Sequence, residues 1–171
     1  MMQTTNTIKF PALNILLKTM DLITGAFGKN IPALVELKTI RKLPSGTLGR
    51  SLADFLDRNQ LKPFNTGIRR KQLHDCIHVV TDYDSTPIGE AEVQAFLLGC
   101  KFTLFNYLIQ ARVKLKMKRV MGSNSCEYHR VEQRLKNAYS RGKKSLLDPD
   151  GWQPELLWDR QLETVRKTFR L

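Results

Sequence analysis

The chain has no run of about 20 uncharged apolar residues, so no segment reads as a membrane span. Its most apolar stretch, Phe10 to Ile23, is interrupted by Pro11, Lys18 and Asp21. No small-residue cleavage site follows it, so a secretory signal is not expected. The first forty residues hold no arginine, which argues against a mitochondrial presequence. Cysteine is scarce: Cys76, Cys100 and Cys126 form an odd set without framework spacing, and a reducing, cytoplasmic setting fits. Period-2 alternation, internal repeats and low-complexity segments are missing, which points away from sheet, solenoid and disordered classes. No glycine-rich flavin or nicotinamide fingerprint occurs.

Acidic residues are also few, with 16 Asp and Glu against 28 Lys and Arg and a formal net charge of +12. The imbalance is local. Between Lys101 and Lys144 stand twelve basic residues and two acidic ones, Glu127 and Glu132, so that stretch carries +10. A concentrated basic face implies an anionic partner: nucleic acid, an anionic membrane surface, or a phosphate- or carboxylate-bearing ligand. No recognised nucleic-acid motif accompanies the charge, and nucleic acid is not expected. Lys114, Lys116 and Lys118 alternate with Val113, Leu115 and Met117, which suits an anionic bilayer surface at least as well.

What is present is helical periodicity. At 171 residues one compact domain over positions 1–171 is the expectation, all-α and built of about six to eight helices. Ile15, Leu16, Met20, Ile23 and Phe27 recur at helical spacing before Gly28. After the turn Pro44-Ser45-Gly46-Thr47, the apolar Leu48, Leu52, Phe55 and Leu56 mark a helix ending near Asn59. A further helix starts around Ile68, and the polar loop Asp82-Tyr83-Asp84-Ser85 follows it. Thr86 fits an N-cap with Pro87 at the first helical position. The helix from Pro87 carries Val93, Phe96, Leu97, Cys100, Leu104, Tyr107, Leu108 and Ala111 and is expected to run to about Val120. Tyr128, Val131, Leu135, Ala138 and Tyr139 form the next stripe, with Gly142 as its expected stop. The last helix shows Trp158, Leu162, Val165 and Phe169 on one face.

The chain has three histidines, and two of them sit four apart with an aspartate beside the first: His74-Asp75-Cys76-Ile77-His78, followed after eleven residues by Glu90. Positions i and i+4 share a helix face, so both imidazoles can converge on one point. Two imidazoles and one or two carboxylates make a first shell for a divalent metal. Asp75 lies about 100° round the helix from His74; it either ligates or orients an imidazole from behind. Glu90 in a first helical turn is also favoured simply by the helix dipole. A zincin helix would need glutamate where Asp75 stands. Di-iron bundles would need paired Glu-x-x-His motifs, and a His-Asp phosphohydrolase would need a histidine before His74, which is the first in the chain.

The spacing His-Asp-x-x-His, eleven residues, Glu resembles the signature of the Coq-four family of coenzyme Q (ubiquinone) biosynthesis proteins, in particular its bacterial members. Leu43-Pro44-Ser45-Gly46-Thr47-Leu48-Gly49-Arg50 with Ala53-Asp54-Phe55-Leu56 is similar to that family's LPxGTLGR…FL block. His78-Val79-Val80-Thr81-Asp82-Tyr83-Asp84, Gly89-Glu90 and Gln94-Ala95-Phe96 resemble its HVLTGY…GE…QAF. Trp152, Trp158, Leu162 and Arg166 resemble its C-terminal helix. The likeness runs in order along nearly the whole chain. Departures are Asp82 where glycine is usual, Leu52 where an aromatic is common, and only ten residues between Pro63 and His74, where many members have a longer acidic lead-in.

The resemblance implies an all-α protein, often a homodimer, that serves ubiquinone synthesis at the membrane. It implies a divalent metal, zinc in the usual assignment with iron and magnesium as alternatives, on His74, Asp75, His78 and Glu90. The implied substrate is a prenylated hydroxybenzoate or prenyl lipid, and the implied partners are other quinone-biosynthesis enzymes. The location expected is cytoplasmic, peripheral to the inner face of the plasma membrane. Arg69 and Arg70, just before the motif, are candidates to hold an anionic group of the substrate. The apolar stripes of the first helix and of Val93–Ala111 either part around a prenyl tail or simply pack as core. Two roles follow: a metal-dependent lyase for oxidative decarboxylation at ring carbon one, or a non-catalytic scaffold with a structural metal.

Overall fold

The structure, a computed structural model, describes residues 31–122 and 125–171. The apolar stripe from Ile15 to Phe27 lies outside the described residues. Among those described there are eight α-helices, one 3₁₀ turn and no strand, the all-α class expected. They are α1 (Leu37–Ile40), α2 (Leu48–Arg58), α3 (Arg69–Gln72), α4 (His74–Thr81), α5 (Pro87–Cys100), α6 (Leu104–Met121), α7 (Cys126–Lys144) and α8 (Leu162–Phe169). The 3₁₀ turn, Pro154–Leu156, precedes α8.

Helix starts follow the capping chemistry. Thr47 caps α2, its Oγ1 accepting from Arg50 N at 3.4 Å. Thr86 caps α5 by accepting from Gly89 N at 3.2 Å with Pro87 behind it, and Ser125 caps α7 by accepting from Tyr128 N at 3.0 Å. Each cap satisfies one of the four N–H groups that a helix start leaves without a partner.

Four boundaries differ from expectation. The long helix from Pro87 stops at Cys100, and α6 begins afresh at Leu104. Lys101 is extended (φ −151°, ψ 114°), and its Nζ is tied to Asp148 at 3.3 Å and Asp150 at 2.9 Å. Phe102 and Thr103 then add weak helix propensity at the break. The helix through the histidine motif is jointed at Leu73 (φ −93°, ψ 4°). Beside that joint, buried Gln72 uses its amide to accept from Leu34 N at 3.0 Å and to donate to Ile31 O at 3.0 Å. Trp158 precedes α8, where its carbonyl accepts from Gly49 N at 2.9 Å. Gly142 does not stop a helix; α7 runs through it to Lys144.

Gly142 instead makes the central packing possible. A Cβ there would meet Phe96 O of α5 at 2.1 Å, and a Cβ on Gly99 would meet Tyr139 O of α7 at 2.2 Å. The two helices therefore touch backbone to backbone and run in the same sense, since Glu92 pairs with Arg134 while Gly99 lies against Tyr139. Phe96, Val93, Leu135 and Ala138 fill the seam with under 3% exposure each. Alanine in a helix is ordinarily better than glycine by about 1 kcal/mol. Here the clash reverses the sign: Gly142→Ala should cost about 2–3 kcal/mol in urea unfolding, as overpacking of a filled core does. A variant as stable as the parent would show that the seam has slack.

Candidate metal centre

The joint at Leu73 leaves α4 a regular helix, so His74 and His78 stack one turn apart with ring centroids 4.9 Å apart at 81°. The third side chain arrives from α5 by way of a tight loop. Asp82 ends α4 in the left-handed region (φ 62°) and reverses the chain. The Asp84 carboxylate then accepts from Thr86 N at 2.9 Å and also from the Thr86 hydroxyl. Gly89 presses into this loop: a Cβ there would lie 2.0 Å from Asp84 O. The first turn of α5 is thereby drawn against α4, and Glu90 faces both histidines.

The ligand atoms converge. His74 Nε2 lies 2.9 Å from Glu90 Oε2, His78 Nε2 lies 3.1 Å from Glu90 Oε1, and the two Nε2 atoms are 3.3 Å apart. An ion held at about 2.0–2.1 Å sets its ligands about 3.3 Å apart in a tetrahedron and about 2.9 Å apart in an octahedron. The three separations fall in that range, and the residues present fit a divalent cation of the zinc or iron type. Asp75 is also buried but stands outside this trio, the only metal-competent cluster among the described residues. The structure thus brings together three of the four expected ligands.

The electrostatics favour the same reading. His78 Nδ1 is 3.0 Å from Tyr83 O, and because a carbonyl only accepts, Nδ1 carries the proton. The Nε2 lone pair of His78 then points at Glu90 and His74, an orientation that is repulsive unless a cation, proton or metal ion, lies between them. Phe55 stacks on the His78 ring at 5.4 Å and 21°, which locks the ring plane. Burial disfavours charge on Glu90, but the hydrogen bonds and positive charge of His74 and His78 overcome it and hold the carboxyl well below its ordinary range. Burial likewise disfavours the imidazolium of His74, and the hydrogen bond and charge of Glu90 reverse this, leaving its pKa above the usual value. Burial raises the pKa of Asp75, opposed by the two histidines. His78 is 1% exposed, whereas the side chains of His74 and Glu90 are 19% and 26% exposed, so solvent reaches the cluster from the His74–Glu90 side.

The two arginines before the motif face elsewhere. Arg69 donates to Trp152 O at 3.1 Å and pairs with Glu155 at 2.7 Å. Arg70 donates to Leu97 O at 3.4 Å, and its Nη1 lies 3.7 Å from Asp150. Both guanidinium groups hold the segment before α8 onto the body of the protein. A cavity of about 570 Å³ opens between α2, the 82–85 loop and α8; of the trio only His78 reaches its wall, alongside Asp54, Phe55, Arg58 and Arg166. Sequence reasoning missed Tyr83 O and Phe55, because neither a backbone carbonyl nor a stacking partner has a motif. Gly89 beside Glu90 was a readable sign, since glycine in a first helical turn signals close approach.

No protein-family model matches this chain, and no curated protein sequence matches it. Among solved structures, the chain is similar to a protein of Nostoc punctiforme PCC 73102 described as a "putative ubiquinone biosynthesis protein". The match has a TM-score of 0.69 and 21% sequence identity, and it covers 92% of this chain and 78% of that one. The helical fold is therefore one that this chain shares with a protein so described.

Proposed function

We propose that this chain is a divalent-metal protein of ubiquinone or related prenyl-quinone synthesis, acting on a polyprenyl hydroxybenzoate at the step that removes the ring carboxylate. The observation that carries the reading is the His74–His78–Glu90 convergence, supported by the fold shared with the Nostoc protein. Loss of that carboxylate as carbon dioxide with a hydroxyl in its place is a net two-electron oxidation. A two-histidine, one-carboxylate set would suit iron, with dioxygen as the two-electron acceptor; zinc on the same residues would supply only Lewis-acid polarisation, and the oxidation would then need dioxygen or another acceptor from outside the site.

Within that reading each residue has a task. Tyr83 O fixes the His78 tautomer, and Phe55 fixes its ring plane. Glu90 supplies negative charge between the imidazoles. A substrate carboxylate or ring oxygen enters from the partly exposed His74–Glu90 side. Asp75 outside the trio favours the lyase over the scaffold, because catalytic metal sites keep a position open while structural ones close with four protein ligands.

The membrane partner finds support on α6. Leu104, Leu108, Ala111 and Leu115 follow i, i+4, i+7, i+11 spacing, and the three leucines are 66%, 51% and 49% exposed. The opposite side carries Gln110 and Met117, each 6% exposed. Arg112, Lys118 and Arg119 are exposed near the stripe, and residues 101–125 contain no acid. An apolar stripe edged by cations suits the headgroup boundary of an anionic bilayer. No helix of the described residues is long and apolar enough to cross a membrane.

Mass spectrometry of the purified protein should find close to one zinc or iron per chain, and His78→Ala should lose it while keeping its helical circular dichroism. Equal metal in both proteins would place the ion elsewhere, and metal in neither would leave the lipid scaffold as the better account.

Metal must displace the proton that Glu90 helps to hold on His74. Because that pKa is raised, proton competition persists to higher pH than for a free imidazole. Zinc affinity should therefore climb as pH rises through neutrality and level off above it, as titrations with a competing chelator would record. A flat profile would remove His74 from the ligand set.

Vesicles containing phosphatidylglycerol should retain the protein on flotation, whereas the double variant Leu108→Glu, Leu115→Glu should stay in solution. Retention of the double variant would mean that α6 is not the docking face.

A further inference from the structure

α4 ends in four carbonyls that lack helical partners, and two arginines from distant elements serve them. Arg166 of α8 donates to Val80 O at 3.1 Å and Val79 O at 2.9 Å. Arg141 of α7 donates to Thr81 O at 2.7 Å, and its guanidinium lies over the Tyr83 ring, 5.4 Å from the centroid. The two grips differ. Arg166 holds the helix before the chain reverses and touches the reversal only through the exposed Asp82 side chain, 3.8 Å from its Nη2. Arg141 holds both sides of the reversal, Thr81 before the left-handed Asp82 and Tyr83 after it.

That reversal is where the site is tuned. A non-glycine residue in the left-handed region costs about 1 kcal/mol, so the turn at Asp82 needs its surroundings to keep it in place. The carbonyl it presents, Tyr83 O, is the acceptor for His78 Nδ1–H at 3.0 Å. We propose that Arg141 is a positioning residue for the metal centre: by clamping the Thr81–Tyr83 turn it sets Tyr83 O, and through it the tautomer and orientation of His78. The inference rests on the metal reading of the trio, but its first consequence concerns the His78 ring and needs no metal. A planar guanidinium suits the task because it donates in its plane while its face lies on an aromatic ring; a lysine ammonium can make either contact but has no plane to make both in a fixed geometry.

The test uses the full chain stripped of metal by chelation. Long-range proton–nitrogen NMR on His78 should show the Nδ1-protonated tautomer in the parent protein and a tautomer mixture in Arg141→Leu. Zinc affinity, measured by competition with a chromophoric chelator, should fall about tenfold in Arg141→Leu, the scale found when a partner behind a metal ligand is removed. Arg141→Lys, which keeps a donor for Thr81 O, should show a smaller change of the same kind. It decides the matter if the leucine variant does not fold. Ile40→Val, at a buried α1 residue away from the turn and the seam, should lower stability and move neither readout. Parent-like tautomer and affinity in folded Arg141 variants would overturn the proposal. A tautomer shift in a protein that binds no zinc would sink the metal reading and leave the Arg141 relay standing.

Discussion

Gly99 and Gly142 let α5 and α7 meet backbone to backbone where they cross, and the placement of Glu90 depends on that contact. A helix seam spaced by side chains tolerates sliding, because rotamers adjust. A seam of backbone against backbone has no such freedom. With α5 fixed on α7, the first turn of α5 is fixed too, and Glu90 rides on it. The bidentate Arg134–Glu92 pair, at 2.8 and 2.6 Å, sits on the same seam nearer that turn and sets the rotation of α5. Arg141, seven residues along α7, then reaches the end of α4. One helix therefore holds both the carboxylate arm and the imidazole arm of the trio.

That arrangement explains how a cluster of two imidazoles and a carboxylate persists in a largely buried place. Each group would be costly alone, since burial opposes the charge on Glu90 and on His74 alike. Together they offset one another, the histidines favouring the charge on Glu90 and Glu90 favouring the proton on His74. The core beside the cluster is formed by Phe96, Leu52, Leu56 and Val80, each 1% exposed or less.

The helical class was legible because apolar residues recur at the helical period, and the start of α5 was legible because Thr86-Pro87 is a capping pair; Thr47 and Ser125 cap α2 and α7 as well, but stand in stretches that read as turns. The histidine pair was legible from its i, i+4 spacing, whereas Glu90, which a helix dipole favours in any case, was singled out by the resemblance to the Coq-four signature. The break at Lys101–Thr103 was not, because the apolar stripe continues across it; α5 ends where Lys101 turns extended, and the side chain there meets Asp148 and Asp150, nearly fifty residues away. Gly142 misled for a related reason. Glycine after a helical stripe ordinarily marks a stop, and only the partner helix reveals that it marks a contact. Arg69 and Arg70 illustrate the limit for charge: next to a metal motif they suggest anion binding, yet their partners, Trp152, Glu155, Leu97 and Asp150, are set by the tertiary fold.

The Asp75 position shows why spacing and geometry answer different questions. Both histidines and Asp75 lie in the first two turns of α4, but Cβ directions advance by about 100° per residue. A helix that aims His74 and His78 at α5 cannot aim Asp75 there as well. For Asp75 to join, α4 would have to rotate, and its end is gripped by Arg166 at Val79 and Val80 and by Arg141 at Thr81. What Asp75 contributes from its place is negative charge behind two imidazoles, acting on them through a low-dielectric interior. That field stabilises positive charge on the imidazoles, on His74 above all, from a residue that stands outside their cluster.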